Sequence, residues 1–157
     1  MCVPVKSILL ALATGLVAAS PVAADGPGIA RAQVKVFGGA DHQVSWMGRG
    51  DVRKTIPLCI ATPTGKFSLF VSSATGQGLV GTSALAYSVT LKSSRAAVSG
   101  TISPDQPMVE LAGSVTASSS CMEGANAELL VHLSSVDLLS GNAGTYADQI
   151  NLAVQAR

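Results

Sequence analysis

GQGLVGTSALAYSVTLK, Gly76 to Lys92, decides the fold class, because its two halves make opposite claims. GQGLVG satisfies G-x-G-x-x-G, the pattern that brings a backbone close to a pyrophosphate where a strand passes into a helix. KFSLFVSS, Lys66 to Ser73, supplies a strand on the upstream side. Downstream, however, ALAYSVTLK alternates at period two, with Leu85, Tyr87, Val89 and Leu91 on one face and Ser88, Thr90 and Lys92 on the other. A helix cannot present that pattern; a half-buried strand does. The acidic residue that would hold a ribose is missing as well, since no Asp or Glu lies between Asp51 and Asp105. GQGLVG is therefore expected to be a glycine-rich turn between two strands.

The same alternation extends in both directions. AQVKVF groups Ala32, Val34 and Val36; QVSWM groups Val44 and Trp46; KFSLFV groups Phe67, Leu69 and Val71. Toward the end of the chain, AELLVHL groups Leu129, Val131 and Leu133, and DQINLAVQA groups Ile150, Leu152 and Val154. Segments rich in Gly, Ser and Pro (TPTG, SATGQG, SPDQP) separate them as turns. A single helical turn is predicted at Ser134 to Leu139, capped by Ser134 with Asp137 three residues on. With no internal repeat and no βαβ unit, the prediction is an all-β, two-sheet β-sandwich. NAGTY, ending at Tyr146, resembles a tyrosine corner, in which the hydroxyl bonds to backbone a few residues upstream.

The first residues set the compartment. Lys6 precedes an apolar run from Ile8 to Ala19, and Val22 and Ala24 stand at −3 and −1 of a cut before Asp25. This is the layout of a secretory signal peptide over residues 1–24, followed by one domain over 25–157. The apolar run is too short for a membrane anchor, so no membrane span is expected in the mature chain. Loss of Lys6 leaves the mature chain formally neutral, against 9 Asp and Glu in total. That argues against nucleic acid as a partner. Charge is still segregated: Arg53, Lys54, Lys66, Lys92 and Arg95 fill the acid-free stretch, and most carboxylates follow it. Cys2 leaves with the leader, and Cys59 with Cys121 then most simply form one disulfide in an exported chain. Closing so long a loop contributes about 4 kcal/mol in the chain-entropy estimate.

Residues able to do chemistry are scarce. His42 lies in a polar loop, and His132 alternates away from Val131 and Leu133. Serine is abundant, yet no G-x-S-x-G elbow is present and nothing in the sequence holds a serine beside either imidazole. The two cysteines lack a neighbouring His for a metal, and CMEGANAE offers too few oxygens for calcium. No catalytic residue, cofactor or metal is expected, and the chain is not read as an enzyme.

LCIATPTGKFSLFVSSATG, Leu58 to Gly76, resembles a central motif of exported spore coat U-type proteins. ELLVHLSSVDLLSGNAGTYADQINLAVQ resembles their ending: a strand, then AGTY-x-D, then a last alternating strand. Those proteins are similar to chaperone–usher pilins, so the resemblance implies an immunoglobulin-like, pilin-like Greek-key β-sandwich. The resemblance implies a structural subunit of a surface fimbria or coat, in the periplasm or at the cell surface. Its implied partners are like subunits, a periplasmic chaperone and an outer-membrane usher. The implied mechanism is strand addition, in which an extended segment fills a gap in an incomplete sandwich. The candidate donor is the mature N-terminus, with Ala30, Ala32, Val34 and Val36 alternating against Arg31, Gln33 and Lys35; the same residues also suit the chain's own first strand. One departure is plain: common pilin domains join two early strands by a disulfide, whereas here the pair would be Cys59 and Cys121. The reading from a different class is a self-complete, monomeric, periplasmic or secreted binding module.

Overall fold

A computed structural model describes residues 6–13, 32–38, 41–94, 96–118 and 120–157. Among these the chain is almost entirely strand, arranged as two sheets packed face to face. The strands are β1 (Lys6–Ala13), β2 (Gln33–Val36), β3 (Asp41–Trp46), β4 (Val52–Ala61), β5 (Lys66–Ser73), β6 (Leu79–Val80) and β7 (Ala84–Leu85). They continue with β8 (Tyr87–Lys92), β9 (Ala97–Ile102), β10 (Met108–Ser114), β11 (Ala127–Leu133) and β12 (Gly144–Ala156). One helix, α1 (Ser135–Ser140), stands between the last two strands.

The larger sheet runs β10-β5-β12-β1-β3, with β6 and β7 attached beside β12; the smaller runs β2-β4-β11-β8-β9. All pairings are antiparallel except that of β1 with β12. Alternation explains the layering. Phe67, Leu69 and Val71 from β5, and Tyr146, Ile150 and Leu152 from β12, face Ile56, Leu58 and Ile60 from β4. Leu129, Val131 and Leu133 of β11, and Tyr87, Val89 and Leu91 of β8, complete the same core. The expected two-sheet sandwich is present. ALAYSVTLK is extended as expected but is not one strand: it breaks at Ala86, so that β7 pairs with β6 in the larger sheet and β8 with β11 and β9 in the smaller.

Two local features follow from particular residues. Helix α1 begins where expected: Ser134 Oγ accepts from the Asp137 N–H at 3.1 Å and donates to Asp137 Oδ2 at 2.6 Å. Beyond Leu58, β11 no longer accompanies β4, and an Asn side chain replaces it. Asn126 Oδ1 accepts from the Ile60 N–H and Asn126 Nδ2 donates to Ile60 O, both at 2.8 Å. One amide side chain thus satisfies both backbone groups of a strand residue.

Candidate functional site

Strand β1 is an interior strand of the larger sheet. It lies between β12 and β3, parallel to the first over Lys6↔Gly144 to Ala13↔Asn151 and antiparallel to the second over Lys6↔Trp46 to Ala11↔Asp41. Its Ile8 is fully buried in the common core, in register with Tyr146 on one side and Val44 on the other. All eight residues lie in the expected leader, and Ile8 to Ala13 are the first part of its apolar run. Take β1 away and the larger sheet has a slot between β3 and β12, with unpaired backbone on both walls and a hole where Ile8 sat. Burying one such side chain stabilises by about 1.5–3 kcal/mol, and a buried backbone group left without a partner costs about as much as a lost hydrogen bond.

The wall formed by β12 is organised by the AGTYAD segment. Tyr146, fully buried, donates from its hydroxyl to Asn142 O at 2.7 Å, four residues upstream, as a tyrosine corner requires. The same hydroxyl lies 3.0 Å from Ser83 Oγ and 3.2 Å from Thr82 Oγ1. Two residues on, Asp148 is buried and unites both sheets: Oδ2 accepts from Tyr87 Oη of β8 at 2.6 Å, and Oδ1 accepts from Ser73 Oγ of β5 at 2.8 Å. Oδ1 also accepts from the Gln149 N–H at 2.8 Å. Burial, then the neighbouring carboxylate, pushes the Tyr87 phenol far above its ordinary value.

GQGLVG rests on this network. Ser73 Oγ accepts from the Gly78 N–H at 3.2 Å, and Thr75 Oγ1 donates to Gly78 O at 2.8 Å. Gly78 has φ +80°, and a Cβ there would stand 2.7 Å from Leu85 O. At Gly81 a Cβ would strike Thr145 O and the Tyr146 ring. Gly76 and Gly78 serve a tight turn, as expected from the sequence, but Leu79 and Val80 of the same hexapeptide form the short strand β6, with Val80 in register with Ala147 of β12.

The remaining predicted positions fall as follows. Cys59 and Cys121 are bonded, with Cα atoms 5.7 Å apart across 62 positions. Cys59 points away from Leu58 and Ile60 yet is buried, because the run leading to Cys121 is held over that face by Ser118 N–H on Thr62 O and Asn126 N–H on Leu58 O. Val34 and Val36 are in β2, in register with Ile60 and Leu58 of their own chain. A donor role for them holds only for a chain that releases β2. Ala32 directly precedes that strand, and Ala30 lies outside the described residues.

One arrangement was not foreseen. On the outer face of the smaller sheet, Ser88 Oγ lies 3.3 Å from His132 Nδ1, and His132 Nε2 lies 3.1 Å from Asp51 Oδ2. Asp51 Oδ1 accepts from the Ser135 N–H at 2.9 Å, and this bond, then that of His132, holds its pKa down to about 2. The order is that of a Ser–His–Asp triad, but Ser88 lies mid-strand directly opposite His132 rather than on an exposed turn. Ser88 Oγ also donates to His132 O at 3.3 Å, so its proton is shared with the backbone. The cluster ties the start of β4 to β11 and the cap of α1.

Among the described residues no group of three or more His, Cys, Asp and Glu side chains converges as a metal site, and no helix is long and apolar enough to cross a membrane. The disulfide is compatible with an exported chain. No protein-family model, curated protein or solved structure matches this chain.

Proposed function

We propose that this chain is an exported structural subunit of a surface fimbria or coat, an immunoglobulin-like, pilin-like Greek-key sandwich completed by strand addition. One observation carries the reading: the strand that closes the larger sheet, β1, comes from the segment with the layout of a cleavable leader. A mature chain beginning at Asp25 then lacks β1 and has a slot between β3 and β12, and in the donor role its residues 29–36 leave their place beside β4. An extended apolar segment from a second copy fills it, with main-chain hydrogen bonds on both sides and side chains entering the core. A periplasmic chaperone guards the slot beforehand, and an outer-membrane usher directs the exchange. The tyrosine corner and the likeness to spore coat U-type sequences support the same assignment.

Export of the full chain from a bacterium tests this. The mature protein should begin at Asp25 by mass spectrometry and should form multimers on size-exclusion chromatography. A synthetic peptide of residues 29–36, added in excess, should cap those multimers. A mature chain beginning at Asp25 that stays monomeric, with β3 amides protected from exchange and no peptide bound, would overturn the proposal. The second reading, a self-complete monomeric binding module, is favoured by the fact that every described strand pairs within one chain. It takes over if residues 6–13 remain in the exported protein.

A further inference from the structure

We propose that β9, one edge of the smaller sheet, is a pairing edge for a second copy of this chain. Two β9 strands meet antiparallel about a two-fold axis and join two five-stranded sheets into one. The inference concerns lateral association and is independent of strand addition in the larger sheet.

The free backbone groups of β9 can be placed from its two ends. In the hairpin to β8, the Ser93 N–H donates to Ala96 O at 3.0 Å. Antiparallel bonds alternate, so Val98, Gly100 and Ile102 turn their N–H and C=O toward β8, and Ala97, Ser99 and Thr101 turn theirs away from it. Ser103, the next residue of the outward series, exchanges both bonds with Gln106, at 3.0 and 3.1 Å. Among the described hydrogen bonds none reaches the outward backbone of Ala97, Ser99 or Thr101, and all three residues are exposed.

Of the strands that end the two sheets, β9 is the unguarded one. β2 carries Lys35, β3 begins with Asp41 and His42, and β10 has Glu110 in its interior. β9 reads AVSGTI, with neither charge nor proline, the devices that deter an edge from pairing with another chain.

The occupant follows from β9 itself. An axis through Ser99 puts Ser99 of one copy opposite Ser99 of the other and Ala97 opposite Thr101, so every outward group finds a partner and small side chains meet on the exposed face. On the inner face, half-buried Val98 falls opposite the other copy's Gly100, which has no side chain of its own and on which a Cβ would stand 2.9 Å from Val109 Cβ. The ends match as well. Lys92 is in register with Ala97 at one end of β9, and Asp105 lies in the Ser103–Gln106 turn beyond the other. An antiparallel pair brings the basic end of each strand to the acidic end of its partner. One strand per copy makes a small interface, so the pair is weak and forms where copies are concentrated.

The test uses the full chain, expressed in a bacterium and purified with its disulfide formed. Directly opposed, hydrogen-bonded residues have Cα atoms about 5.5 Å apart, within reach of a disulfide. Under mild oxidation Ser99→Cys should therefore form a covalent dimer at least about tenfold faster than Ala97→Cys or Thr101→Cys alone, since reaction within a formed pair is effectively intramolecular. A mixture of the last two variants should cross-link to each other. In the natural chain, hydrogen exchange at the Ala97, Ser99 and Thr101 amides should slow with rising protein concentration while that at Val98 and Gly100 stays constant. Ser99→Pro removes an outward donor without touching the bonds to β8 and should abolish that dependence. Ser99→Lys, which opposes two lysines across the axis, should do the same if the proline variant does not fold. Concentration-independent exchange at the three outward amides, or cross-linking no faster at Ser99 than at Ala97, would overturn the inference. Protection that appears only with an added extended peptide of another sequence would give the edge to a peptide ligand and overturn the second copy as its occupant. Because these readouts lie in β9, their failure leaves strand addition beside β12 standing, and failure of strand addition leaves them unchanged.

Discussion

Replacing Asp148 with Ala removes the acceptor that four groups share. Tyr87 Oη at 2.6 Å, Ser73 Oγ and the Gln149 N–H at 2.8 Å, and Thr75 Oγ1 at 3.4 Å all point at this carboxylate, which is buried. The hydroxyls of Ser73 and Thr75 keep Gly78 O as an alternative at 3.5 and 2.8 Å. Tyr87 Oη and the Gln149 N–H lose the partner shown here. A stranded buried donor costs about 1–3 kcal/mol, so Asp148→Ala should destabilise by about 3–5 kcal/mol. Tyr87→Phe removes one donor and leaves the carboxylate three; a hydrogen bond to a charged group is worth about 1.5–3 kcal/mol. Because that loss exists only while Asp148 is present, the double variant should be less destabilised than the sum by about 2 kcal/mol. Urea unfolding of the disulfide-intact protein, followed by the fluorescence of Trp46, the single tryptophan, measures all four corners of the cycle. Additivity within about 0.5 kcal/mol would show that the cross-sheet bond is not a determinant of the fold, and the reasoning would be refuted.

Three further outcomes are expected. Tyr146→Phe keeps the ring and deletes the corner bond to Asn142 O, so it should cost about 1–3 kcal/mol in the same urea assay and leave the m-value unchanged. Gly78→Ala should cost more than about 1 kcal/mol, because φ there is +80° and a Cβ would meet Leu85 O, and neither protein should bind NAD or ATP in calorimetry. The pKa of Asp51 is lowered from 3.8 to about 2 on folding, so its stabilisation is complete above 3.8 and is lost as pH falls through about 2; the stability gap between the natural chain and Asp51→Asn, measured by urea unfolding at stepped pH, should therefore close over that window.

How far the sequence could be read depended on whether the signal was local. Tyr87, Val89 and Leu91 declare a strand by alternation alone, and Ser134 declares a cap through Asp137 three residues away; both are nearest-neighbour effects. Cys59 and Cys121 could be paired because the third cysteine, Cys2, was assigned to the expected leader. Asp148 was visible only as the last letter of AGTYAD, since its importance lies in Tyr87 and Ser73, each far away along the chain. The Ser88–His132–Asp51 cluster was hidden for the same reason: strand pairing, not spacing, brings Ser88 to His132. Residues 6–13 read by hydropathy as part of a leader, whereas the structure pairs them as a strand with β12 and β3. Their strand pairing depends on a vacancy between β3 and β12, which no short window of sequence contains.

The disulfide has a mechanical meaning. Cys59 and Cys121 bracket β5 to β10, so tension applied at the two ends of the chain passes across the sulfur bridge and not through the strands between. Fully drawn out, the bracketed loop would span about 210 Å at about 3.4 Å per residue. Bridged, it adds no length at all. A domain torn open by a pulling force therefore yields only its flanks, with the central strands held together as a covalent ring ready to refold when the load is released.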